Sequence, residues 1–381
     1  MVRVFFFRGF HQIRAILNVK TYTLTVRLPE APARSYPIIV RQGVLQDAPA
    51  HIARRAGGGA VFLVTDTTVG RLYGRRLQQA CAATVERCEL LDVPPGEQSK
   101  RLRPYDALAG ALLALGVRRD SLIVALGGGV VGDLAGFVAA TLLRGLPYLQ
   151  LPTTLLAQID SSVGGKVGID HRAGKNLLGA FHQPRAVLID PSVLRTLPVR
   201  EFRSGLAELV KIAVALDADL FRRIERAAPR LTRMSGPVLA NLIATAVSLK
   251  AAVVVKDEYE TGLRKALNLG HTVGHALEAA SGYTIRHGEA VSVGLALEAR
   301  IAARMGLLEE RALERILSLL RGLKLPLRAP AGIDRARFLR ALSLDKKFLG
   351  GAAAYALPAG IGRSALGVRV PATLLDEVMR P

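Results

Sequence analysis

Three histidines in the second half of the chain could bind a metal ion. His271 and His275 are four residues apart, so on a helix they share one face and lie within reach of one ion. Glu208 and Lys211, three residues apart on another helical stretch, could point at the same position. Two imidazoles and a carboxylate can form a zinc site with an open coordination position for a substrate oxygen. Spacing alone selects His271 and His275 and leaves the role of His287 open, and histidines with a purely structural role are the alternative.

A glycine-rich run after a short β-rich segment is typical of a nucleotide site. In LGGGVVGD, Gly127, Gly129 and Gly132 satisfy GxGxxG, where the missing side chains let the backbone approach a pyrophosphate at a helix N-terminus. The dinucleotide fingerprint also requires an acid about 20 residues on, and Leu146–Leu156 contains none. Asp66, at the end of an earlier strand, could hold a ribose hydroxyl instead. A tight turn with packing glycines is the alternative.

Lysine is scarce in this sequence, and several of its lysines lie in or near the motifs. Of the 52 Lys and Arg residues, eleven are lysines. Lysine presents a compact point charge suited to phosphate, whereas arginine presents a planar fork, so the two are not interchangeable at a tight site. Lys166 in SSVGGK, and Lys175 with Asn176 in GKN, lie in Gly-rich segments that we interpret as loops closing on phosphate. A solvated loop is the alternative.

The composition excludes several classes of protein. The 381 residues allow two or three domains, and 50% hydrophobic residues predict a sizeable core. Cys81 and Cys88 form no CxxC motif, which argues against a disulfide framework or a thiolate zinc site and favours the reduced cytosol. The net charge of +21 is dispersed and aromatic residues reach only 5%, so no nucleic-acid partner is expected. Apolar windows such as Val130–Leu143 are too short for a membrane span, so no membrane association is expected.

The first half of the sequence alternates strand-like and helix-like segments. The strand patterns cover Thr21–Leu28, Ala60–Thr65, Ser121–Leu126, Tyr148–Leu151 and Ala186–Ile189. Helical patterns between them include Thr68–Cys81 and Tyr105–Leu115. This alternation predicts an open, Rossmann-like α/β sheet of largely parallel strands.

After Leu197 the pattern becomes mainly helical. The helical segments are Gly205–Arg226, Gly236–Val255, Leu269–Ala280, Glu289–Met305 and Glu309–Leu323, with N-caps at Ser204 and Ser235, stops at Gly282 and Gly306, and short strands at Ala352–Leu357 and Leu366–Val370. We therefore divide the chain into an extension of unknown role (1–19), an α/β nucleotide domain (20–197) and a helical metal- and substrate-binding domain (198–381). A cleft between the two larger domains is where cofactor and substrate are expected to meet.

Six sequence blocks, taken in order, resemble the 3-dehydroquinate synthase family. They are GGGVVGD, LPTTLLAQIDSSVGGK, GKNLLGAF, SGLAELVK, DEYETGLRKALNLGHTVGHALE and HGEAV, and the likeness runs from about Tyr22 to Arg369. The resemblance implies a cytoplasmic, homodimeric enzyme of the shikimate pathway that converts 3-deoxy-D-arabino-heptulosonate 7-phosphate into 3-dehydroquinate and phosphate. It also implies NAD and a divalent metal, zinc or cobalt. The implied chemistry is transient oxidation by NAD, β-elimination of phosphate, re-reduction, ring opening and aldol closure.

The resemblance assigns the cofactor residues position by position. The implied metal ligands are Glu208, His271 and His287, which replaces His275 of the four-apart pair and makes it a substrate or proton-relay residue. The implied NAD contacts are Asp66, Glu97, Lys100, Gly129, Val130, Val131, Gly132, Asp133, Thr153, Thr154, Lys166, Lys175, Val193, Leu194, Arg195 and Thr196.

The resemblance also assigns residues to the substrate and to catalysis. The implied substrate contacts are Arg144, Asp160, Lys166, Asn176 and either Lys346 or Lys347, and the implied catalytic group is Lys211, Lys250, Arg264, Asn268 and His275. Two departures stand out, since Pro95 replaces an acid common in the family and residues 1–20 have no family counterpart. The alternatives are another sugar-phosphate cyclase and a metal-dependent polyol or alcohol dehydrogenase.

Overall fold

Two short strands lie near the start of the chain in this computed structural model. The structure describes residues 16–18, 21–23, 35–231, 236–348, 355–371 and 373–374. Strand β1 (Ile16–Asn18) pairs antiparallel with β2 (Thr21–Thr23), within a unit that comprises Met1–Ser35. The predicted strand from Thr21 is confirmed over these three residues, and its remainder lies outside the described residues, as does most of the predicted extension.

A parallel six-stranded sheet organises the first half of the second unit, Tyr36–Pro381. In spatial order its strands are β3 (Ile38–Val40), β10 (Val187–Ile189), β7 (Tyr148–Pro152), β6 (Leu122–Gly127), β4 (Val61–Asp66) and β5 (Cys88–Val93). Every pairing in this sheet is parallel. The predicted α/β sheet is confirmed, and sequence analysis missed β3 and β5.

Both faces of the sheet are covered, which explains why its central strands are apolar throughout. In β4, Phe62 and Val64 pack on one side of the sheet, and Val61 and Leu63 pack on the other. The helices of this half are α1 (Val44–Ala56), α2 (Thr67–Val69), α3 (Arg75–Ala82), α4 (Leu102–Ala114) and α5 (Gly129–Thr141). Since side chains alternate along a strand, two-sided cover requires a continuous apolar run.

A β-hairpin follows the sheet strands and corrects the interpretation of two sequence motifs. Strand β8 (Lys166–His171) pairs antiparallel with β9 (Gly174–Phe181). Lys166, Lys175 and Asn176 therefore lie in strands and not in loops. Gly164 and Gly165, which suggested a loop, precede β8 with φ values of 101° and 70°. Two other glycines let the backbones of the hairpin approach closely, since a Cβ on Gly168 would lie 2.7 Å from the Leu178 carbonyl oxygen and one on Gly179 would lie 2.6 Å from the Val167 carbonyl oxygen.

Helices dominate the second half, as predicted. They are α6 (Val199–Leu216), α7 (Ala218–Ala227), α8 (Pro237–Lys256), α9 (His271–Ala280), α10 (His287–Arg304), α11 (Glu310–Gly322) and α12 (Arg335–Phe348), followed by the antiparallel strands β11 (Tyr355–Pro358) and β12 (Ser364–Val368). Gly282 and Gly306 lie just beyond α9 and α10 with φ values of 64° and 70°, which confirms them as stop signals. The predicted boundary at 197/198 falls just before α6 and stays a prediction.

The predicted start of α6 is wrong. The helix begins at Val199, so Ser204 lies inside it, and Ser204 Oγ instead accepts a hydrogen bond from Gly288 N. The predicted continuous helix over Gly205–Arg226 is also divided, because Asp217 leaves the helical conformation and caps α7 by accepting from Leu220 N at 2.6 Å. The second predicted N-cap, Ser235, lies outside the described residues.

Helix α8 is long and apolar enough to cross a membrane by length and composition alone, which the sequence analysis did not notice. Its residues Leu239, Leu242 and Ile243 are instead buried in the core of the helical half. Its Lys250 is also buried and lines the cleft described below. Packing within the protein thus accounts for part of the apolar character of α8, whereas its Val238 and Val255 are exposed.

Candidate active site

A cleft of about 1160 Å³ lies between the carboxyl ends of the sheet strands and the helices of the second half. Asp66 and Thr153, at the ends of β4 and β7, line the sheet side. Lys211, Lys250 and His271, from α6, α8 and α9, line the helical side. In open α/β sheets, ligands bind outside the carboxyl ends of the strands, so this cleft is the candidate active site.

Glu208, His271 and His287 bring three possible metal-binding atoms together at the base of the cleft. Glu208 Oε1 lies 3.4 Å from His271 Nε2 and 3.2 Å from His287 Nε2. Ligand atoms about 2.1 Å from a tetrahedral ion lie about 3.4 Å from one another. Glu208 is fully buried; Lys211 Nζ lies 2.8 Å from its Oε2, and its Oε1 accepts no hydrogen bond. A divalent cation fits this donor set, because it would satisfy the buried carboxylate and both imidazoles.

Both candidate histidine ligands are oriented through their other ring nitrogen. His271 Nδ1 lies 3.1 Å from the Leu269 carbonyl oxygen, and His287 Nδ1 lies 3.3 Å from Glu278 Oε2. With Nδ1–H donating to these acceptors, Nε2 is the nitrogen of each ring left to bind a metal ion, which on His287 would replace a proton. We assign these tautomers from the acceptors that the two Nδ1 atoms face.

The electrostatics of the three-residue cluster favour positive charge at its centre. Burial disfavours the charged form of His287, but Glu208 and Glu278 outweigh that penalty and raise its pKa to about 10. Burial dominates for His271 and lowers its pKa to about 3. Although burial opposes ionisation of Glu208 as well, Lys211 and His271 hold the pKa of this carboxyl well below its usual range. The carboxylate thus stays charged and available as a ligand near neutral pH.

His275 lies close to the cluster but does not share the position of His287. Its ring centroid is 5.2 Å from that of His271 and 5.9 Å from that of His287. A ring nitrogen of His275 lies within 4.8 Å of possible ligand atoms of Glu278 and His287. Glu208 instead lies within that distance of His271 and His287. The geometry therefore supports the ligand set implied by the resemblance over the pair selected by spacing.

Buried cations surround the helical side of the cleft. Lys211 Nζ lies 2.8 Å from Glu208 Oε2 and donates to the Leu267 carbonyl oxygen at 2.9 Å. Lys250 forms an ion pair with Asp160, and because Lys250 and Lys211 outweigh burial they lower the pKa of Asp160. Both ammonium groups are matched by carboxylates in this structure, so an anionic substrate would compete with Glu208 and Asp160 for them.

Glu260 lies in the same cleft and was not singled out by sequence reasoning. It forms an ion pair with Lys166 and accepts a hydrogen bond from Asn268 Nδ2. Partial burial, together with the neighbouring Arg264, lowers the pKa of Lys166 to about 8. Arg264 itself is buried and donates to the Gly164 carbonyl oxygen at 3.1 Å.

The sheet side of the cleft fits a dinucleotide. The first N–H groups of α5, which begins at Gly129, have no partner within the helix, and its residues Gly129, Val130 and Val131 line the cleft, an arrangement that suits an anion. Asp66 caps α2 by accepting from Thr68 N at 2.9 Å and Val69 N at 3.0 Å. Lys100 is buried, and its Nζ lies 2.6 Å from Asp133 Oδ2.

The glycines of the GxGxxG motif have two different roles, close packing and access of a ligand to the backbone. A Cβ on Gly127 would lie 2.6 Å from Val131 Cβ, and a Cβ on Gly132 would lie 2.8 Å from Gln150 Oε1, so these two glycines are needed for packing. Gly129 lines the cleft, so its missing side chain leaves room for a ligand. Of the predicted NAD contacts, Gly132 is therefore buried against Gln150 and does not line the cleft.

Most predicted site residues line the cleft, and a few do not. Those that line it are Asp66, Glu97, Lys100, Gly129, Val130, Val131, Asp133, Thr153, Thr154, Asp160, Lys166, Lys175, Asn176, Thr196, Lys211, Lys250, Arg264, Asn268, His271, His275 and His287. Those away from it are Arg144, which is exposed, Arg195, which donates to the Ser192 carbonyl oxygen, and Val193 and Leu194, which are core residues. The predicted metal ligand Glu208 is fully buried and does not itself line the cleft. Lys346 and Lys347 lie on α12, and their side chains are outside the described residues.

The sequence of this chain is similar to known proteins of one family. Family models for the N-terminal and C-terminal parts of 3-dehydroquinate synthase match residues 90–204 and 205–348. A curated 3-dehydroquinate synthase from Synechococcus sp. is 43% identical over 364 residues, covering 94% of this chain and 99% of the relative. The chain belongs to the 3-dehydroquinate synthase family. Another family member, from Pelobacter propionicus, is 45% identical over 340 residues, covering 89% and 94% of the two chains.

Solved structures of sugar-phosphate cyclases share the two-domain fold of this 3-dehydroquinate synthase family member. One is a 2-epi-5-epi-valiolone synthase from Streptomyces hygroscopicus with NAD⁺ and Zn²⁺ bound, with a TM-score of 0.84, 31% identity and coverage of 93% and 98% of the two chains. Another is a 2-deoxy-scyllo-inosose synthase complexed with carbaglucose-6-phosphate, NAD⁺ and Co²⁺, with a TM-score of 0.83, 28% identity and coverage of 97% and 99%.

Proposed function

We propose that this cleft converts 3-deoxy-D-arabino-heptulosonate 7-phosphate into 3-dehydroquinate and inorganic phosphate, with NAD and a divalent zinc or cobalt ion as cofactors. The observation that carries the proposal is the Glu208–His271–His287 cluster, which opens into the same cleft as the N-terminus of α5. The family membership supports the reaction, and the two sugar-phosphate cyclases with bound NAD⁺ and metal support the cofactors. We also expect a homodimer, which light scattering can check, and a cytoplasmic location, which cell fractionation can check.

Each half of the cleft has a separate task in this reaction. When bound, NAD would accept and return a hydride, and the divalent ion would polarise the hydroxyl oxygen on the carbon from which that hydride leaves. Glu208, His271 and His287 would hold the ion. The α5 N-terminus would bind the cofactor diphosphate, and Asp66 at the end of β4 would bind a ribose hydroxyl.

Loss of phosphate by β-elimination needs positive charge more than it needs a strong protein base. A phosphate oxygen of the substrate can itself take the proton, provided that the phosphate is held next to the carbon that loses it. Lys166, Lys250 and Arg264 supply fixed positive charge on the helical side and would neutralise the phosphate and carboxylate groups. His275, which is exposed next to the metal cluster, is placed to carry a proton to or from the substrate.

The decisive experiment measures phosphate release and NADH together. Purified protein with the heptulosonate phosphate, NAD and zinc is expected to release phosphate without net accumulation of NADH, because the hydride returns in each turnover. Accumulating NADH without phosphate release would indicate a dehydrogenase. Phosphate release from glucose 6-phosphate, the parent of the carba analogue, with none from the heptulosonate phosphate would indicate another sugar-phosphate cyclase.

Arginine is not expected to replace lysine at position 175. The Lys175 ammonium fits between Glu97 and Glu278, with Nζ at 3.4 Å and 2.9 Å from their oxygens, and a larger planar guanidinium would displace its neighbours. A displacement of about an ångström should lower turnover on the order of a hundredfold. Lys166 is half-exposed, so Lys166→Arg should cost less.

Steady-state phosphate release by the two variants checks this, with NAD affinity determined separately. Lys256→Arg, at the exposed end of α8, is the matched control and should keep wild-type turnover. Wild-type turnover by Lys175→Arg would mean that the position needs a positive charge but not the shape of lysine. The contact of either lysine with phosphate stays a prediction, since both are paired with carboxylates in this structure.

A further inference from the structure

Glu278 connects the cofactor side of the cleft to the metal cluster, and the reaction described above assigns it no role. It lies on α9, and its side chain is only 2% exposed. Glu278 Oε1 accepts a hydrogen bond from Lys175 Nζ at 2.9 Å, and Oε2 lies 3.3 Å from His287 Nδ1. Its two oxygens thus serve two different partners, a cation from the β8–β9 hairpin and a candidate metal ligand.

On the cofactor side, Lys175 has a second acidic partner. Its Nζ lies 3.4 Å from Glu97 Oε1 and 4.9 Å from the centre of the Tyr283 ring. Glu97 belongs to the turn after β5 and lines the cleft on the sheet side. An anionic ligand in this part of the cleft, such as the diphosphate of NAD, would compete with Glu278 for the charge of Lys175.

On the metal side, Glu278 acts on His287 through the ring. A carboxylate that accepts from Nδ1–H fixes the ring and strengthens Nε2 as a ligand. Lys175 opposes this effect, because its positive charge offsets part of the charge of Glu278. Drawing Lys175 toward the cofactor would therefore leave Glu278 acting more fully on His287.

We propose that Glu278 is a positioning residue, and that Lys175, Glu278 and His287 form a strap through which NAD and the metal ion bind cooperatively. The proposal rests on the proposed function, since it takes NAD and a divalent ion as the occupants of the cleft. Each ligand strengthens binding of the other, because thermodynamic coupling is reciprocal. Coupling of this kind is typically about 5- to 150-fold in affinity.

Zinc affinity, measured by competition with a chelator with and without saturating NAD, tests the strap without any turnover. Wild-type protein should bind zinc at least about fivefold more tightly with NAD present. Lys175→Met should bind zinc at least as tightly as wild type without NAD, and NAD should no longer change that affinity. Glu278→Gln should weaken zinc binding by about 10- to 100-fold and also lose the coupling.

The absorption spectrum of the cobalt-loaded protein adds a signature that a purely structural residue would leave unchanged. NAD should shift the cobalt bands in wild type and leave them in place in Lys175→Met. Glu225→Gln, which alters a carboxylate paired with Arg315 outside the cleft, is the control and should behave as wild type. If Glu278→Gln fails to fold, Lys175→Met alone still decides the matter.

Equal coupling in wild type and Lys175→Met, or no coupling in wild type that releases phosphate normally, would overturn the strap and leave the proposed function standing. Coupled zinc and NAD binding in protein that releases no phosphate from the heptulosonate phosphate would overturn the proposed function and leave the strap standing.

Discussion

His287→Ala is expected to abolish metal binding, whereas His275→Ala should retain the ion. His287 Nε2 lies 3.2 Å from Glu208 Oε1, within the three-atom cluster that also contains His271 Nε2. Loss of a residue that only orients a ligand weakens metal binding by about 10- to 100-fold, so loss of the ligand itself should exceed about a hundredfold. Zinc content after gel filtration, supported by chelator competition, measures the difference.

A histidine outside the cleft provides the control for this comparison. His171, at the end of β8, does not line the cleft, and His171→Ala should keep its metal. Retention of zinc by His287→Ala with loss from His275→Ala would mean that the pair four residues apart is correct and that the three-residue cluster is not the metal site.

Adding a single methyl group to α10 should damage both the fold and the metal site. A Cβ on Gly288 would lie 2.0 Å from the Ser204 carbonyl oxygen, and a Cβ on Gly294 would lie 2.0 Å from the Gly270 carbonyl oxygen. Both obstacles are backbone atoms, so a helix must move. Overpacking of this kind typically costs about 1–3 kcal/mol and occasionally more. Because Gly288 and Gly270 adjoin the ligands His287 and His271, we expect weaker zinc binding as well.

Thermal unfolding of Gly288→Ala and Gly294→Ala, recorded with and without zinc, tests this expectation. Gly322→Ala in α11 is the matched control, since a Cβ there meets nothing within 4 Å. Alanine is the better helix former by about 0.5–1 kcal/mol, so the control should equal or exceed wild type in stability. If Gly294→Ala matched Gly322→Ala in both stability and zinc affinity, α9 and α10 would not need their close approach.

Sequence reasoning identified the chemistry of the site more completely than it identified the residues that act together there. Glu208 and His271 stood out by residue type, but no spacing rule joins His287 to either, because the three residues lie on three different helices, α6, α9 and α10. Only the family resemblance supplied that ligand. Glu278 was missed although it follows His271 by seven residues, two helical turns on the same face. A carboxylate at that spacing from a candidate ligand is a signal that could have revealed it.

The errors in the fold come from local signals that tertiary packing overrides. Ser204 has the side chain of an N-cap, yet it lies inside α6. Its hydroxyl accepts a hydrogen bond from Gly288 N of α10. The glycines next to Lys166 and Lys175 resemble parts of a flexible loop, yet both lysines lie in strands of a hairpin, whose backbones approach closely at Gly168 and Gly179. Such contacts join residues distant in sequence, so no local pattern contains them. The central strands were predictable because two-sided burial makes each an unbroken apolar run.

The order of strands in the sheet has a consequence for how the chain is made. Ile38 pairs with Val187, and β10 is the neighbour of β3 in the sheet. Synthesis runs from the N-terminus, so Ile38–Val40 must wait for about 150 further residues before their partner strand leaves the ribosome. Closing so long a loop is slow, and an unpaired apolar strand can join other chains in the meantime. During synthesis, β3 therefore stays without its partner strand until β10 has been made.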